Sequence, residues 1–184
     1  GDISAFRRRG YNLIDWVKDP SPDSLIWRSS NHANIGFAGI EASLSLTPSA
    51  QIPNGLFQTL RLSYSYLRAD SAQDDMLSRY ALDYLRHQVN LSVDIRLVAR
   101  LYNSTTVTWR DRNGAWQDSG GEVVSYDPFC LSDTRFSWKE QKFTVYIEAS
   151  NVFNSRYFDF GGLIQPGIWI RGGLIMNLDY MKKK

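Results

Sequence analysis

Repeated period-two alternation predicts an all-β chain: an antiparallel, up-and-down transmembrane β-barrel segment of about eight strands. Three observations carry this prediction. Apolar and polar residues alternate cleanly over runs as long as 88–97, QVNLSVDIRL. The links between such runs alternate between long and short. No segment carries a convincing apolar stripe at helical spacing.

The first strand is expected around Tyr11–Val17. In the second, Ile40, Ala42, Leu44 and Leu46 alternate with Glu41, Ser43 and Ser45. In the third, Leu60, Leu62, Tyr64 and Tyr66 oppose Arg61, Ser63 and Ser65. The fourth places Val89, Leu91, Val93, Ile95 and Leu97 on one face, with Gln88, Asn90, Ser92, Asp94 and Arg96 on the other. Thr105, Val107 and Trp109 alternate with Thr106, Thr108 and Arg110; Phe136 and Trp138 alternate with Arg135, Ser137 and Lys139. The seventh strand sets Phe143, Val145, Ile147 and Ala149 against Thr144, Glu148 and Ser150, with Tyr146 a mixed member. The last sets Ile168, Ile170, Leu174, Met176 and Leu178 against Arg171, Asn177 and Asp179. Such alternation follows from the pleat, which turns successive side chains to opposite faces.

Short links are expected near Ser49–Gly55, Arg96–Arg100 and Glu140–Gln141. Long ones are expected near Lys18–Ile26, Ala69–Asp83, Asp111–Asp127 and Asn154–Pro166. Residues 74–83 read as loop. A membrane barrel has this asymmetry, with short turns on one side and long loops on the other. Several strands also reach the length of about 9–11 residues that a tilted strand needs to cross a bilayer. Charges on the polar faces, Glu41, Arg61, Asp94, Arg96 and Glu148, suit either a lumen or external water.

Composition bounds the reading. The chain has 184 residues and a formal charge of +2, so nothing points to nucleic acid. No apolar run reaches about 18 residues, which excludes a transmembrane helix and says nothing of a barrel. Aromatic residues make up 14%, including six Trp and ten Tyr, which fits either a large β core or aromatic girdles at a membrane boundary. Trp16, Trp27, Trp109, Trp138 and Trp169 are read as girdle residues at a membrane boundary. The one cysteine, Cys130, is expected to be an inert, part-buried thiol.

No catalytic constellation emerges: there is no nucleophile–base pair, phosphate loop or telling carboxylate pair, and no cofactor is expected. His32 and His87 lie far apart and carry no metal-ligand spacing. Asp74-Asp75 is read as a solvated loop tip rather than a calcium site. Asp111-Arg-Asn-Gly114 is read as a turn, with Gly114 available for positive φ. Arg7-Arg-Arg9 is read as a solvated strand end rather than a lipid contact. The opening GDISAFRRRG has no Met and no cap, and reads as an artificial boundary.

The end of the chain carries a resemblance. Ala149-Ser-Asn-Val-Phe-Asn154, Arg156-Tyr-Phe-Asp159, Gly161-Gly162, Gln165-Pro-Gly167 and a final amphipathic strand resemble the C-terminal end of TonB-dependent outer-membrane receptors. Tyr11–Val17, Trp27–Asn31, Gly39–Glu41 and Leu82–Gln88 look like barrel strands of that family. The arrangement is most similar to receptors of the vitamin B12 type. Two positions depart from the family pattern: Ile168 stands where many relatives carry Arg, and Met181 and Lys182–Lys184 follow the aromatic Tyr180.

The resemblance implies a barrel of roughly 22 strands around a plug. Residues 1–184 are then expected to be its C-terminal portion, with the plug, the N-terminal strands and the TonB-contacting segment outside this chain. It implies outer-membrane lipid, a scarce transported ligand such as a vitamin B12-like or iron-chelate compound, and TonB as partners. It also implies the barrel-assembly machinery, reached through the strand ending near Tyr180, and location in the outer membrane of a Gram-negative-type bacterium. Ligand-contacting residues are not identifiable at this stage. Two other readings stand beside it. One is a complete eight-stranded outer-membrane barrel acting as anchor or adhesin; the other is a soluble ligand-binding β domain.

Overall fold

The computed structural model describes residues 1–21, 26–48, 55–70, 76–80 and 82–177, with backbone alone at 32–34. Eleven strands form: β1 Asp2–Lys18, β2 Arg28–Leu46, β3 Phe57–Asp70, β4 Leu77–Ser78, β5 Tyr84–Val98, β6 Leu101–Asn113, β7 Ala115–Gln117, β8 Val123–Ser125, β9 Phe129–Lys139, β10 Phe143–Ser150 and β11 Trp169–Met176. Nine of them make one sheet in the order β11-β10-β9-β6-β5-β3-β2-β1-β4. Each long strand pairs antiparallel with the next long strand in the chain, as an up-and-down wall requires. The β7–β8 hairpin stands apart as a second sheet. The wall does not close: β11 and β1 lie toward opposite edges of the sheet.

The registers assemble the alternating residues into two distinct faces. Leu44, Leu62, Leu91 and Val107 stand opposite one another across four strands. The neighbouring row is Ser43, Ser63, Asn90 and Thr108. There Asn90 Nδ2 donates to Ser63 Oγ at 3.3 Å, and Thr108 Oγ1 donates to Asn90 Oδ1 at 3.0 Å. Cross-links recur along the polar face. Ser104 Oγ donates to Asp94 Oδ1 at 2.6 Å, Arg61 pairs with Asp94 at 3.5 Å, and Glu148 sits between Arg135 and Arg171. The apolar face has no protein cover: Leu44, Leu62 and Leu91 remain 46%, 43% and 37% exposed. Burying a leucine is worth roughly 1.5–3 kcal/mol, and a single-layer wall realises that gain only against hydrocarbon.

Several elements differ from expectation. β1 runs from Asp2, well before Tyr11, because β2 pairs along its whole length. The three arginines hide this in the sequence, since Arg7 and Arg9 share a face and break the apolar alternation. Asn12 adopts a left-handed φ of 54°, which Asn tolerates better than most residues. It exchanges the faces of β1: Gly10 lies against Leu13, and beyond it Asp15 and Val17 are buried while Ile14 and Trp16 are exposed. Asp111-Arg-Asn113 is strand, not turn; Gly114, with φ of 116°, separates β6 from β7, and the turn comes at Ser119–Gly120. Within the expected loop 74–83, Leu77–Ser78 adds a short strand to Val17–Lys18. The link 47–56 is as long as the 19–27 loop, so loop length does not separate the first two connections. The thiol of Cys130 is exposed, because it lies opposite Trp109 on the uncovered face. Leu178, Asp179, Tyr180 and Lys182–Lys184 lie outside the described residues, as do Asp74 and Asp75.

Candidate functional site at the long-loop end

The buried apolar residues Val17, Ile35, Leu77, Leu82, Tyr126 and Phe129 gather at one end of the wall, where the 19–27, 71–83, 114–128 and 151–168 connections emerge. At this end the loops pack on one another. Asp15, fully buried, anchors the first contact. Its carboxylate accepts hydrogen bonds from Ser78 Oγ at 2.5 Å and from the Tyr80 backbone N–H at 3.1 Å. Ser78 Oγ in turn accepts from the Leu82 N–H at 2.8 Å. Asp15 and Lys18, both buried near the end of β1, hold two different loops: Lys18 donates to Gln117 Oε1 in the β7–β8 hairpin.

A second contact joins three loops. Arg112, at the end of β6, donates to Asp83 Oδ1 at 2.6 Å and to Asp159 Oδ1 at 3.0 Å. Arg110 reaches the other Asp159 oxygen at 3.3 Å. The Tyr126 hydroxyl donates to Asp83 Oδ2 at 2.9 Å and accepts from the Gly161 N–H at 2.7 Å. The Asp83 side chain is only 4% exposed, so burial raises its pKa, opposed by the hydrogen bonds from Arg112 and Tyr126. Burial also pushes the Tyr126 phenol up to about 12, with Asp83 adding to the rise. Burial raises Tyr157 in the same direction.

Aromatic packing completes the cluster. Trp116 packs between Tyr126 and Phe158, with both centroid separations 5.0 Å. Gly162, at φ of 72°, lies directly on the Trp116 indole and leaves no room for a β-carbon. The terminal loop has its own scaffold. Buried Asn151, with φ of 49°, donates its side-chain amide to Ser155 O at 2.9 Å and accepts from the Ser155 N–H at 2.8 Å. Asn154 Oδ1 accepts from the Ile168 N–H at 3.0 Å, closing the segment onto β11. The residues quoted above for the resemblance are therefore those that fold this loop.

Between the loops opens a cleft of about 260 Å³, lined by Lys18, Trp27, Arg79, Trp116, Gln117 and Phe160 among others. The Arg79 guanidinium lies 4.8 Å from the Trp27 ring centroid. The lining also carries Asp83 and Asp118, so two carboxylates offset Lys18 and Arg79, and the aromatic faces leave stacking as the cleft's main means of holding a polar ligand.

The other candidates distribute as follows. His87 Nδ1 lies 2.8 Å from the Tyr64 hydroxyl on the outward face; the side chain of His32 lies outside the described residues. Among the described residues, no three His, Cys, Asp or Glu side chains gather as metal ligands. Trp16, Trp109 and Trp138 are partly exposed near strand ends, as girdle residues are. Trp169 is not on that face: it pairs with Ser150, next to the Glu148–Arg171 pair on the polar side. Trp27 belongs to the loop cleft. Trp116 and Tyr126 were not singled out in the sequence; Asp83 stood within Leu82–Gln88 and Arg112 within the expected turn, neither as a site residue, whereas Asp159 and Gly162 stood within the C-terminal motif.

A family model described as TonB dependent receptor-like, beta-barrel matches residues 1–152. A variant of the ferric enterobactin receptor of Pseudomonas aeruginosa superposes with a TM-score of 0.64 at 18% identity, over 94% of this chain and 28% of that one. A second variant of that receptor, in complex with enterobactin, superposes with a TM-score of 0.64 at 19% identity, over 94% and 28% of the two chains. The FrpB iron transporter from Neisseria meningitidis gives 0.63 at 18% identity, again over 94% and 28%. This chain thus spans about 28% of the length of these structures, with which it shares the fold. A comparison with curated proteins finds no match. The matched family consists of transporters, not enzymes. With an antiparallel two-faced wall and a family match over most of its length, the chain belongs to the TonB-dependent receptor β-barrel family.

Proposed function

We propose that this chain is the C-terminal part of the barrel wall of an outer-membrane receptor that imports an iron chelate or a vitamin B12-like compound, energised through TonB. One observation carries the reading: a wall with an uncovered apolar face and a cross-linked polar face, in a chain of this family. The polar face lines the lumen, the apolar face meets lipid, and the long loops face the exterior. The plug and the remaining strands belong to the parent receptor. An iron chelate is the favoured ligand, because the similar structures are a ferric enterobactin receptor and an iron transporter. The open edges at β1 and β11 favour a wide barrel over a closed eight-stranded anchor. The C-terminal strand β11, with the sequence that follows it to Tyr180, presents the segment read by the barrel-assembly machinery.

Whole-cell uptake of a labelled ferric chelate and of labelled vitamin B12, by cells carrying the parent receptor with and without TonB, tests the proposal. TonB-dependent uptake of the ferric chelate is expected. Uptake of neither compound, or uptake indifferent to TonB, refutes it.

A further inference from the structure

We infer that the outward face of β6 and β9 is the contact surface between two copies of the receptor in the membrane, joined through a polar patch of Asn103, Thr105, Ser132 and Thr134. The inference rests on the membrane reading above. The registers place the patch at mid-depth. Trp109, opposite Cys130, closes the outward face toward the loops, and Trp138, opposite Leu101, closes it toward the short turns. Between them lie the pairs Val107–Ser132, Thr105–Thr134 and Asn103–Phe136. The residues level with these on the flanking strands are apolar: Leu91, Val93 and Ile95 on β5, and Ile147 and Ala149 on β10. Lipid therefore accounts for the neighbours and not for the patch, since polar side chains at this depth carry a cost.

Most of the patch satisfies itself. Asn103 Nδ2 donates to Thr134 Oγ1 at 2.8 Å and to Arg135 O at 3.3 Å, and Thr105 Oγ1 donates to Asn103 Oδ1 at 3.0 Å. The two threonine hydroxyls lie 2.9 Å apart, so every donor of these three side chains is used. Lone pairs on Asn103 Oδ1 and on the threonine hydroxyls stay open. Ser132 is the exception. It is 6% exposed, and its hydroxyl has no hydrogen-bond partner among the described residues. No water is present at this depth to bond it. A donor without an acceptor, beside acceptors with open lone pairs, fits a second polar surface.

A second copy supplies that surface. Two receptors share one orientation in the bilayer, so a two-fold axis along its normal sets each row against the same row of the other copy. The patch then meets its own counterpart at its own depth, and each Ser132 hydroxyl faces the open acceptors opposite. The shape agrees. Asn103 and Ser132 are buried whereas Trp109, Phe136 and Trp138 are exposed, so the polar residues floor a recess between aromatic rims. Two convex barrel walls touch along a narrow strip, and the patch is two adjacent strands wide.

The test uses the full-length parent receptor in the outer membrane, with heat-sensitive gel mobility checked first. Cys130 is the reporter: its thiol is exposed, one row from Ser132 on the same face. A short bismaleimide is expected to link two copies through Cys130, and Cys130→Ser is expected to abolish the link. Leu44→Cys in the Cys130→Ser background is the control, because it lies level with Ser132 but on β2; it is expected to give no dimer. Ser132→Ala removes two symmetry-related hydrogen bonds and is expected to weaken the dimer roughly tenfold. Asn103→Leu with Thr105→Val and Thr134→Val removes the acceptors instead and is expected to do the same. A receptor with intact gel mobility that gives no Cys130 dimer overturns this inference alone. So does an equal yield from Leu44→Cys, an unchanged yield in both patch variants, or a link to a different membrane protein. A receptor that stays soluble without detergent overturns the membrane reading, and the inference with it.

Discussion

Arg112 is the residue whose loss disturbs the loop end most. Arg112→Met keeps the length and removes both charge-assisted contacts. The Asp83 partner is 4% exposed and the Arg112 side chain 14%, so this pair is close to buried. Breaking one partner of a buried pair costs about 3–5 kcal/mol, because a charged carboxylate is left without compensation. Asp159 is 28% exposed, so solvent screens its share to under about 1 kcal/mol. Tyr126 still donates to Asp83, which returns about 1 kcal/mol. A net of about 3 kcal/mol follows, or roughly 100-fold faster exchange for amides that open with the cluster. Hydrogen–deuterium exchange in detergent reads it. The Gly161 amide, bonded to Tyr126, and the segments 77–83 and 156–164 are expected to accelerate together. Amides of Leu91 and Val107 in the wall are expected to stay protected. Asp83→Asn in the Arg112→Met background removes the stranded charge and restores part of the protection. Acceleration confined to one loop, or no rescue by Asp83→Asn, would refute the idea of one coupled cluster.

Three further outcomes follow from the same geometry. The folded state holds the Tyr126 phenol neutral, so its contribution is complete below pH 10.0 and disappears as pH rises toward about 12; a shift of about two units is worth roughly 3 kcal/mol. Loop exchange is expected to rise over that window, and Tyr126→Phe is expected to abolish the Tyr126 component of the phenolate absorbance titration. Leu91→Arg faces lipid and is expected to destabilise the barrel by about 2–4 kcal/mol, whereas adjacent Ser92→Arg faces the lumen and costs under about 1 kcal/mol; equal effects in a detergent-refolding titration would show that the faces are misassigned. Gly162→Ala combines positive φ with collision against Trp116 and is expected to cost about 2–4 kcal/mol of local stability. Unchanged Trp fluorescence in that variant would mean that the loop does not seat as described.

Sequence alone determined the wall. The pleat forces alternation wherever the two faces meet different media, so Leu60–Tyr66 and Gln88–Leu97 were readable as strands without knowledge of their neighbours. The same local rule placed Glu148 and Arg171 on one face before their pairing was known. The rule fails where local pattern and partner diverge. Arg7–Arg9 hid half of β1, and Asn113-Gly114 made a strand end look like a turn. Tertiary structure alone decided the loop end. Arg112 meets Asp83 and Asp159 across sequence separations of 29 and 47 residues. Which loops meet depends on strand order, and which strand residues reach them depends on a face exchange at Asn12. Ion pairs between loops carry no periodicity, so their partners exist only once the sheet has brought the strand ends together.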